Sequence, residues 1–451
     1  MSSDLLSPLF TTGRMAEAFS DRARLQGMLD FEAALARAGA RAGLFPAAAA
    51  AAIAARCRAE LFDAAELGRA AARSGNPAIP LVAALTALVA GDDQGASRWV
   101  HLGAASQDAM DTGLVLQLRA ALDAFEDGLE RLSRALAHLA GEHRWTVLSG
   151  RTWLQPAEPV TLGLKAAGWL DAVERHRRRL GEVRGRALAL QLGGAAGTLA
   201  ALGPGALEVA RLTAEELELA LPDLPWHAHR DRPAEVATAL GLLAGTLGKI
   251  AADVALLAQA EVGEAREPAA PGRGGSSSMP QKRNPVGSAV AGAAAVRVPG
   301  LVATMLSAMV QEHERGPAGW LAEWETLPEI CLLVGGALDH VAAVAEGLEV
   351  DAPRMERNLA ATQGLVHAGA AAAALARHLG RAEAHALVEQ ASRAAAQEGR
   401  HLRAVLAEDR RVQACLAPAD LDRVFDARAA AGVAGALVDR ALAARAGSRK
   451  R

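Results

Sequence analysis

A loop rich in small and hydroxyl-bearing residues is the most chemically distinctive stretch of the sequence: Gly274-Gly-Ser-Ser-Ser-Met-Pro-Gln-Lys-Arg-Asn284. Glycines followed by serines give a flexible backbone whose N–H groups can turn towards an anion. Lys282 and Asn284 add a positive charge and an amide near the end of the loop. Such a stretch is either a linker or an anion-binding loop, and the Met-Pro-x-Lys-x-Asn ending distinguishes this one from an ordinary linker.

Three further polar segments interrupt an otherwise apolar sequence. They are HLGAASQDAMDTG at 101–113, GRTWLQPAEPVTLG at 150–163 and QEHERGPAGWLAEWETLP at 311–328. Their arginine, glutamine and serine side chains are suited to hold carboxylates, and histidine is suited to move protons. His101 is either a hydrogen-bonded histidine at the start of a helix or part of a site.

The loop matches the signature Gly-Ser-Ser-x-Met-Pro-x-Lys-x-Asn at every specified position from Gly275 to Asn284, and on this motif the chain resembles the fumarase/aspartase superfamily. Residues 101–108 are similar to the family's His-x-Gly-x-Thr-Ser-Gln-Asp region, with Ala105 where threonine is common. Residues 150–163 are similar to its Gly-Arg-Thr-His-x-Gln region, with Trp153 in place of the histidine. The similarity covers essentially the whole chain.

The resemblance implies a role for each matched residue. Ser276 is expected to be the base and acid at the substrate α-carbon, with His101 and Lys282 as the other catalytic residues. Because a serine hydroxyl is a weak base, we expect it to be tuned by a helix N-terminus and a nearby cation. The expected substrate-binding residues are Ser106, Gln107, Arg151, Thr152, Gln155, Ser277, Met279, Asn284 and Arg315.

Trp153 points to one branch of the superfamily. Fumarases expel hydroxide, and the adenylosuccinate and argininosuccinate lyases expel nitrogen, so these enzymes benefit from an acid such as the missing histidine. A carboxylate, whose acid has a pKa of about 4, leaves without that help. A cycloisomerase that opens or closes a lactone has such a group, and WLAEWETLP at 320–328 also resembles the 3-carboxy-cis,cis-muconate cycloisomerases. The expected reaction interconverts 3-carboxy-cis,cis-muconate and 4-carboxymuconolactone, in the protocatechuate branch of the β-ketoadipate pathway.

Alternatives to this activity stay open at this point. One is an adenylosuccinate-lyase-like C–N lyase, which the triplet His313-Glu-Arg315 resembles but which Trp153 argues against. Another is an inactive paralogue, and a third is a non-catalytic structural protein of the same fold. The intact Ser276, Lys282 and Asn284 argue against a structural protein.

Long helices are predicted to position these segments. Apolar residues recur in alternating steps of four and three, which keep one side of a helix apolar. The clearest runs are Leu118, Leu122, Phe125, Leu129, Leu132, Leu136 and Leu139, and Val236, Leu240, Leu243, Leu247, Ile250, Val254 and Leu257. Seams of this length need partners along the whole helix, so a bundle is expected.

We expect an all-α protein with three parts. A helical domain is predicted at 1–110, a central bundle of long helices carrying the loop 264–285 at 111–350, and a small helical domain at 351–451. The resemblance implies a three-domain fumarase/aspartase-like fold whose bundle is shared in a homotetramer, with each active site drawn from three subunits.

Some local boundaries can be predicted as well. A helix is expected over Ala16–Ala38, ended by Gly39. Asp351 is expected to be the N-cap of a helix with Pro353 in its first turn. The basic residues 448–451 are expected to form a frayed tail.

The composition argues against several classes of function. The formal net charge is −3, so no nucleic-acid-binding surface is expected. No signal peptide is apparent at the N-terminus, and the alanine run at 47–52 is too short to span a membrane. We therefore expect a cytoplasmic enzyme that acts on a small tricarboxylate. Cys57, Cys331 and Cys415 are expected to be reduced and buried.

No metal or other cofactor is expected. His227 and His229 have a spacing that can chelate a metal, but no third ligand follows at a matching spacing. Gly193–Gly197 lacks the strand and the spacing of a nucleotide-binding motif and is interpreted as a helix break. Arg230 is a candidate either for a carboxylate contact or for a structural ion pair.

Overall fold

Helices dominate the computed structural model, which describes residues 3–270 and 272–448. Up to the first strand they are α1 (Ser7–Phe10), α2 (Gly13–Ala18), α3 (Asp21–Arg41), α4 (Ala47–Arg56), α5 (Ala64–Ser74), α6 (Ala78–Asp92) and α7 (Ser106–Glu142). A hairpin of β1 (Val147–Thr152) and β2 (Gln155–Thr161) leads into α8 (Leu162–Ala187), α9 (Ala206–Leu217) and α10 (Asp231–Leu257). The described strands form two short antiparallel pairs, so the predicted all-α class is confirmed.

The second half of the chain starts with the short strand β3 (Ala265–Arg266), which pairs with β4 (Glu349–Val350). Between these strands lie α11 (Val286–Ala308) and α12 (Ala318–Glu346). After β4 come α13 (Ala352–Ala360), α14 (Ala368–Leu379), α15 (Arg381–Glu398), α16 (Leu402–Glu408), α17 (Arg410–Cys415), α18 (Pro418–Val424), α19 (Ala427–Ala430) and α20 (Ala434–Ser448). Of the tail predicted at 448–451, all but Ser448 lies outside the described residues.

The chain divides into two compact units. The first comprises Met1–Gly128, His176–Leu247 and Val290–Asp339, and the second comprises Leu129–Arg175, Gly248–Ala289 and His340–Arg451. The first unit has a core built mainly from α3, α4, α6 and α9. The second has a core among α14–α18 and a smaller one under the β1–β2 hairpin. The three-domain division remains a prediction, since these units do not correspond to it or test it.

The apolar seams of the long helices are buried as predicted. All seven seam residues of α7, from Leu118 to Leu139, are at most 5% exposed. The seven seam residues of α10, from Val236 to Leu257, are at most 4% exposed. The alternating steps of four and three therefore identify the sides of both helices that face a core.

The first long helix differs from its predicted bounds at both ends. α3 begins after Ser20, whose hydroxyl accepts a hydrogen bond from the N–H of Ala23, so an N-cap interrupts the predicted helix. Gly39 does not end the helix. A Cβ at this position would lie 2.4 Å from the ring of Phe45, so the glycine makes room for an aromatic side chain. The cap at Asp351 is confirmed, because its carboxylate accepts from the N–H of Arg354 at 2.8 Å.

Three long helices, α10, α11 and α12, have the length and apolar composition of membrane spans. Among them, α11 is the least buried within the chain. Its Val296 is 81% exposed and its Leu306 is 48% exposed. Both are large apolar side chains that the single chain leaves open to solvent.

Candidate active site

The hydroxyl of Ser276 is held by the backbone of its own loop in the second unit. Its Oγ accepts hydrogen bonds from the N–H of Met279 at 3.2 Å and of Ser278 at 3.4 Å. Donors directed at this oxygen stabilise the negative charge that forms when a serine loses its proton. Among the three adjacent serines of the loop, Ser276 is therefore distinguished by the two backbone donors that its Oγ accepts.

The loop is closed by Asn284. Its backbone N–H donates to the carbonyl of Gly274 at 2.8 Å, and its side-chain Nδ2 donates to the carbonyl of Gly275 at 3.2 Å. Gly274 has φ +71°, and a Cβ there would lie 2.6 Å from the Asn284 carbonyl, so only glycine fits. The side chains of Ser277, Met279 and Lys282 are exposed around this closed turn.

The N-terminus of α11, directly after the loop, binds a carboxylate of the chain itself. Glu267 accepts from the N–H of Gly287 at 3.0 Å and from the N–H of Ser288 at 2.7 Å. We expected a helix N-terminus to make the Ser276 hydroxyl a better base. The N–H groups of Gly287 and Ser288, in the first turn of α11, instead donate to Glu267. The donors that reach Ser276 come from the loop backbone instead.

The segment 150–163 forms the β1–β2 hairpin, and Arg151 lies near its tip. Its guanidinium group binds Glu264, which is 0% exposed, with 2.8 Å from Nη1 to Oε2 and 2.7 Å from Nη2 to Oε1. Asn358 donates to the same carboxylate at 2.8 Å. Arg151 is thus fixed by an internal partner, while Thr152 and Gln155 flank the turn with exposed side chains.

Two apolar residues form the turn of this hairpin. Trp153 and Leu154 have φ values of +51° and +63°, as a two-residue type I′ turn requires. Such turns usually contain glycine or asparagine, because β-carbons are strained at positive φ. Trp153 is nonetheless 98% exposed and Leu154 is 74% exposed. The residue that replaces the family histidine therefore projects from the end of the second unit's hairpin.

In the first unit, Asp108 organises the start of α7. Its carboxylate accepts from the N–H of Ala105 at 2.9 Å, of Gly193 at 3.0 Å and of Gly194 at 2.8 Å, and from the side chain of Gln191 at 3.0 Å. Burial raises the pKa of Asp108, while these donors act in the opposite direction. The stretch Gly193–Gly197 is not merely a helix break, because its backbone N–H groups bind the Ser-Gln-Asp segment.

Gln107 and Arg315 bind each other beside that loop. The Nε of Arg315 donates to Oε1 of Gln107 at 2.7 Å, and its two terminal nitrogens donate to the carbonyls of Ala195 and Gly194. The amide nitrogen of Gln107 donates to Asp111 and to the carbonyl of His227. The arginine of the His-Glu-Arg triplet therefore holds the 193–197 loop against Gln107.

Arg230 forms structural ion pairs with two carboxylates of the protein, which is the second of the two roles considered for it. The side chain is 1% exposed and binds both Asp111 and Glu323, with shortest distances of 2.6 Å to each. Trp320 donates to the same Asp111 carboxylate at 3.0 Å. Burial opposes the charge of Arg230, but the two carboxylates outweigh it and raise its pKa.

His101 makes a short contact with a residue that sequence reasoning missed. Its Nδ1 lies 2.6 Å from Oε1 of Glu32, a residue of α3 that is 2% exposed. Burial alone would lower the pKa of His101, but the charge of Glu32 and its hydrogen bond raise it. His101 is hydrogen-bonded but is not at the start of a helix, because α7 begins five residues later at Ser106, and its φ is +58°.

His227 and His229, the two histidines considered as metal ligands, precede α10. Among residues 3–270 and 272–448, no three histidine, cysteine or acidic side chains group as a metal site would require. Burial lowers the pKa of His227, whose Nδ1 is enclosed with no hydrogen-bond partner in the described part of the chain.

Three acidic residues that position the candidate site were missed from the sequence: Glu32, Glu264 and Glu267. Each is at most 7% exposed and binds a site segment. A signal was present for Glu32, since it lies among the apolar positions Met28, Leu29 and Leu35 of α3. An acidic residue on the apolar side of a helix requires a partner.

Comparisons with known proteins identify the family of this chain. A family model described as lyase matches residues 10–300, and one described as adenylosuccinate lyase C-terminus matches residues 364–441. The chain belongs to the fumarase/aspartase superfamily of lyases.

Several relatives with high sequence identity belong to one branch of this superfamily. The chain is 60% identical over 442 residues to the 3-carboxy-cis,cis-muconate cycloisomerase of Pseudomonas aeruginosa, covering 98% of this chain and 96% of the relative. It is 58% identical to that of Pseudomonas putida, covering 94% and 100%. The crystal structure of the 3-carboxy-cis,cis-muconate lactonizing enzyme from Pseudomonas putida superposes with a TM-score of 0.93 at 56% identity, covering 98% of each chain.

Proposed function

We propose that the chain is a cycloisomerase that interconverts 3-carboxy-cis,cis-muconate and 4-carboxymuconolactone, a step in the protocatechuate branch of the β-ketoadipate pathway. The observation that carries the proposal is the 60% identity, over 98% of the chain, to a relative with that named activity. Trp153 supports it independently, because it replaces the histidine that lyases with poor leaving groups use.

The chemistry of the leaving group explains why a tryptophan is tolerated. In the lactone-opening direction the C–O bond breaks and releases a carboxylate, which is stable as an anion because its acid has a pKa near ~4. Loss of hydroxide or an amine needs a proton donor at the same point. The exposed indole of Trp153 offers no such donor of the required acidity, which fits lactone chemistry and argues against a C–N lyase.

In the closing direction, one carboxylate of the substrate adds to the conjugated double bond. The electron pair moves to the carbon next to another carboxylate, which becomes a dianionic aci-carboxylate. Lys282, Asn284 and the loop N–H groups are proposed to stabilise this charge. Ser276 then delivers a proton to the carbon, and the same residue removes it in the reverse direction. The proposal is supported by the two N–H donors on Ser276 Oγ, which favour its deprotonated form.

The remaining polar residues are proposed to hold the other carboxylates. In the loop this residue is Ser277, and Met279 is proposed as an apolar contact with the substrate; on the hairpin they are Arg151, Thr152 and Gln155; and in the first unit they are His101, Ser106, Gln107 and Arg315. Because the nucleophilic carboxylate is already part of the substrate, holding the ring-closing geometry supplies much of the rate. The net reaction is an isomerisation and requires no redox cofactor.

We propose a homotetramer in which active sites are drawn from three subunits. Members of the family are commonly oligomeric. The exposed apolar side of α11, which includes Val296 and Leu306, supports an assembly through the long helices. The apolar hairpin tip at Trp153 and Leu154 supports burial against another subunit. A bundle of this kind also accounts for helices as apolar as membrane spans, and a cytoplasmic location is proposed with it.

The test is ultraviolet absorbance of 3-carboxy-cis,cis-muconate mixed with the purified protein, with adenylosuccinate in a parallel cuvette. We expect rapid loss of the diene band and no change with adenylosuccinate. Turnover of adenylosuccinate with a silent muconate trace would move the protein to the C–N lyases and would contradict the argument from Trp153. Silence with both substrates from a folded tetramer would favour a non-catalytic homologue.

A further inference from the structure

Glu32 is a buried acid whose surroundings leave it one partner. It lies on α3 at 2% exposure, and the space beside it is enclosed mainly by apolar side chains: Leu35, Phe45, Trp99, Leu202 and Val209. That space has no room for a water molecule. Its Oε1 lies 2.6 Å from Nδ1 of His101, and its Oε2 has no partner among the described residues. An isolated carboxylate in such a place is costly, so the hydrogen bond with His101 is its main stabilising contact.

We propose that Glu32 is a positioning residue for His101: it accepts the Nδ1 proton of the imidazole and leaves Nε2 as the ring nitrogen that meets the substrate. The direction follows from the geometry. An ionised carboxylate only accepts hydrogen bonds, so Nδ1 must carry a proton towards it. Nε2 makes no hydrogen bond within the described part of the chain and keeps some contact with solvent, since the His101 side chain is 17% exposed.

The charges around His101 favour its protonated form. Glu32 faces it from α3 and Asp108 adds negative charge from the start of α7, and no positive side chain acts on it among the described residues. Burial works against the charge, but both acids work for it, and the pKa of His101 is raised above its ordinary value. The raised pKa favours the form in which Nε2 carries a proton as well and presents a positive donor.

This assignment rests on the proposed function and adds to it a carboxylate-binding cation. Ala105 lacks the hydroxyl that the family commonly has in this segment, so one expected carboxylate donor is missing. The Nε2–H of His101, four residues earlier, is a charged replacement for that donor. A charge-assisted hydrogen bond is about twice as strong as a neutral one, so the exchange suits a substrate with three carboxylates.

The experiment replaces the carboxylate with its uncharged isostere, Glu32→Gln, in the full-length protein. Exchange of the Cε1 hydrogen of His101 for deuterium, followed by mass spectrometry across pH, gives its titration midpoint without any substrate. We expect the midpoint to fall by about one to two pH units, and the alkaline limb of kcat/KM for 3-carboxy-cis,cis-muconate to move with it. Glu60→Gln, at an exposed glutamate paired with Arg58, is the control that should move neither.

An unmoved His101 midpoint in folded Glu32→Gln would overturn the proposal. If this variant does not fold, Glu32→Asp takes its place, because it keeps the charge but shortens the reach, and a smaller fall is expected. An unmoved midpoint there would overturn it equally. The exchange measurement needs no turnover, so failure of the proposed function, seen as no loss of the diene band in the unaltered protein, is read separately.

Discussion

Arg151 binds Glu264 through both terminal nitrogens of its guanidinium group, at 2.8 Å and 2.7 Å. The carboxylate is 0% exposed and follows α10, whereas the arginine belongs to the β1–β2 hairpin. The side chain that we expected to grip a substrate carboxylate is thus anchored by one of the protein's own. Any contact of Arg151 with substrate is therefore made by a group that is already rigid.

Breaking this pair should be costly. Arg151→Ala leaves the buried Glu264 with Asn358 as its remaining side-chain partner, and we expect the free energy of unfolding to fall by about 2–3 kcal/mol. Arg283→Ala breaks the largely exposed pair with Glu349 and should cost below ~1 kcal/mol. Urea unfolding of both variants makes the comparison. Equal losses would show that the burial of Glu264 does not matter.

Alanine substitution at Gly194, in the loop Gly193–Gly197, should have a larger effect than at a glycine of similar φ outside this loop. Gly194 has φ +68°, and a Cβ there would lie 2.9 Å from the carbonyl of Gly103. Gly399, which follows α15, has φ +64° and ψ +30° with nothing within 4 Å of its Cβ position. Both alanine variants should lose about 1–2 kcal/mol from the positive φ. Gly194→Ala should lose more and should also raise KM, because the loop it distorts carries the contacts of Asp108 and Arg315.

A matching stability loss and an unchanged KM in the two glycine variants would separate this loop from the site. Thermal unfolding and steady-state kinetics on the same preparations give both quantities. Gly399→Ala serves as the control for backbone strain alone.

His367 is expected to make the free energy of unfolding fall as the pH is lowered. This residue is 5% exposed, its Nδ1 lies 3.1 Å from the carbonyl of Val424, and burial lowers its pKa. A base whose folded pKa is depressed contributes stability that is complete above its unfolded value, 6.5, and is lost as pH falls below it. The slope contributed by one such group is at most about 1.4 kcal/mol per pH unit.

We expect His367→Gln to flatten the fall in unfolding free energy between pH 6.5 and pH 5, whatever its effect at pH 7.5. His138→Gln alters an exposed side chain of α7 and should leave the slope as it is. Denaturant titrations at four pH values measure the slope. A slope unchanged by His367→Gln would contradict the assignment.

The proposed assembly predicts an effect of charge on α11. Val296→Asp places a carboxylate on the exposed apolar side of this helix and should convert the tetramer, four times the 46.5 kDa chain, into smaller species. Leu207→Asp alters a residue of α9 that is 80% exposed, outside the helix proposed to form the interface, and should leave the mass unchanged. Light scattering after gel filtration reports the mass. A tetramer that survives Val296→Asp would place the interface elsewhere.

The sequence was sufficient for the class of fold because periodicity reports burial directly. The seams from Leu118 to Leu139 and from Val236 to Leu257 lie where alternating steps of four and three place them. The sequence did not predict the helix ends. Gly39 was expected to end α3, but it is needed inside the helix because the ring of Phe45 packs against it, and no local sequence pattern relates these two residues. The β1–β2 hairpin could not be predicted from the sequence either, because its turn contains Trp153 and Leu154 where glycine or asparagine is usual.

The candidate site divides in the same way. Its motif residues, such as Ser276 and Gln107, were identifiable because their types match a signature. The acids that hold them were not, because Glu32 and Glu264 lie far along the chain from His101 and Arg151. Only folding brings those pairs together. Arg315 was expected to hold substrate, but its contacts with Gln107 and Gly194 could be known only from the structure.

Ser276 is proposed to protonate the α-carbon of a carboxymuconate during lactone formation. This role is tested most directly by following the diene absorbance of 3-carboxy-cis,cis-muconate with the unaltered protein and with Ser276→Ala. Removal of a proton-transfer group lowers kcat by roughly 10²–10⁴-fold, and we expect that loss with an unchanged unfolding transition, because Ser276 bonds only within its loop. Equal rates for the two proteins would show that Ser276 is not the group that transfers the proton.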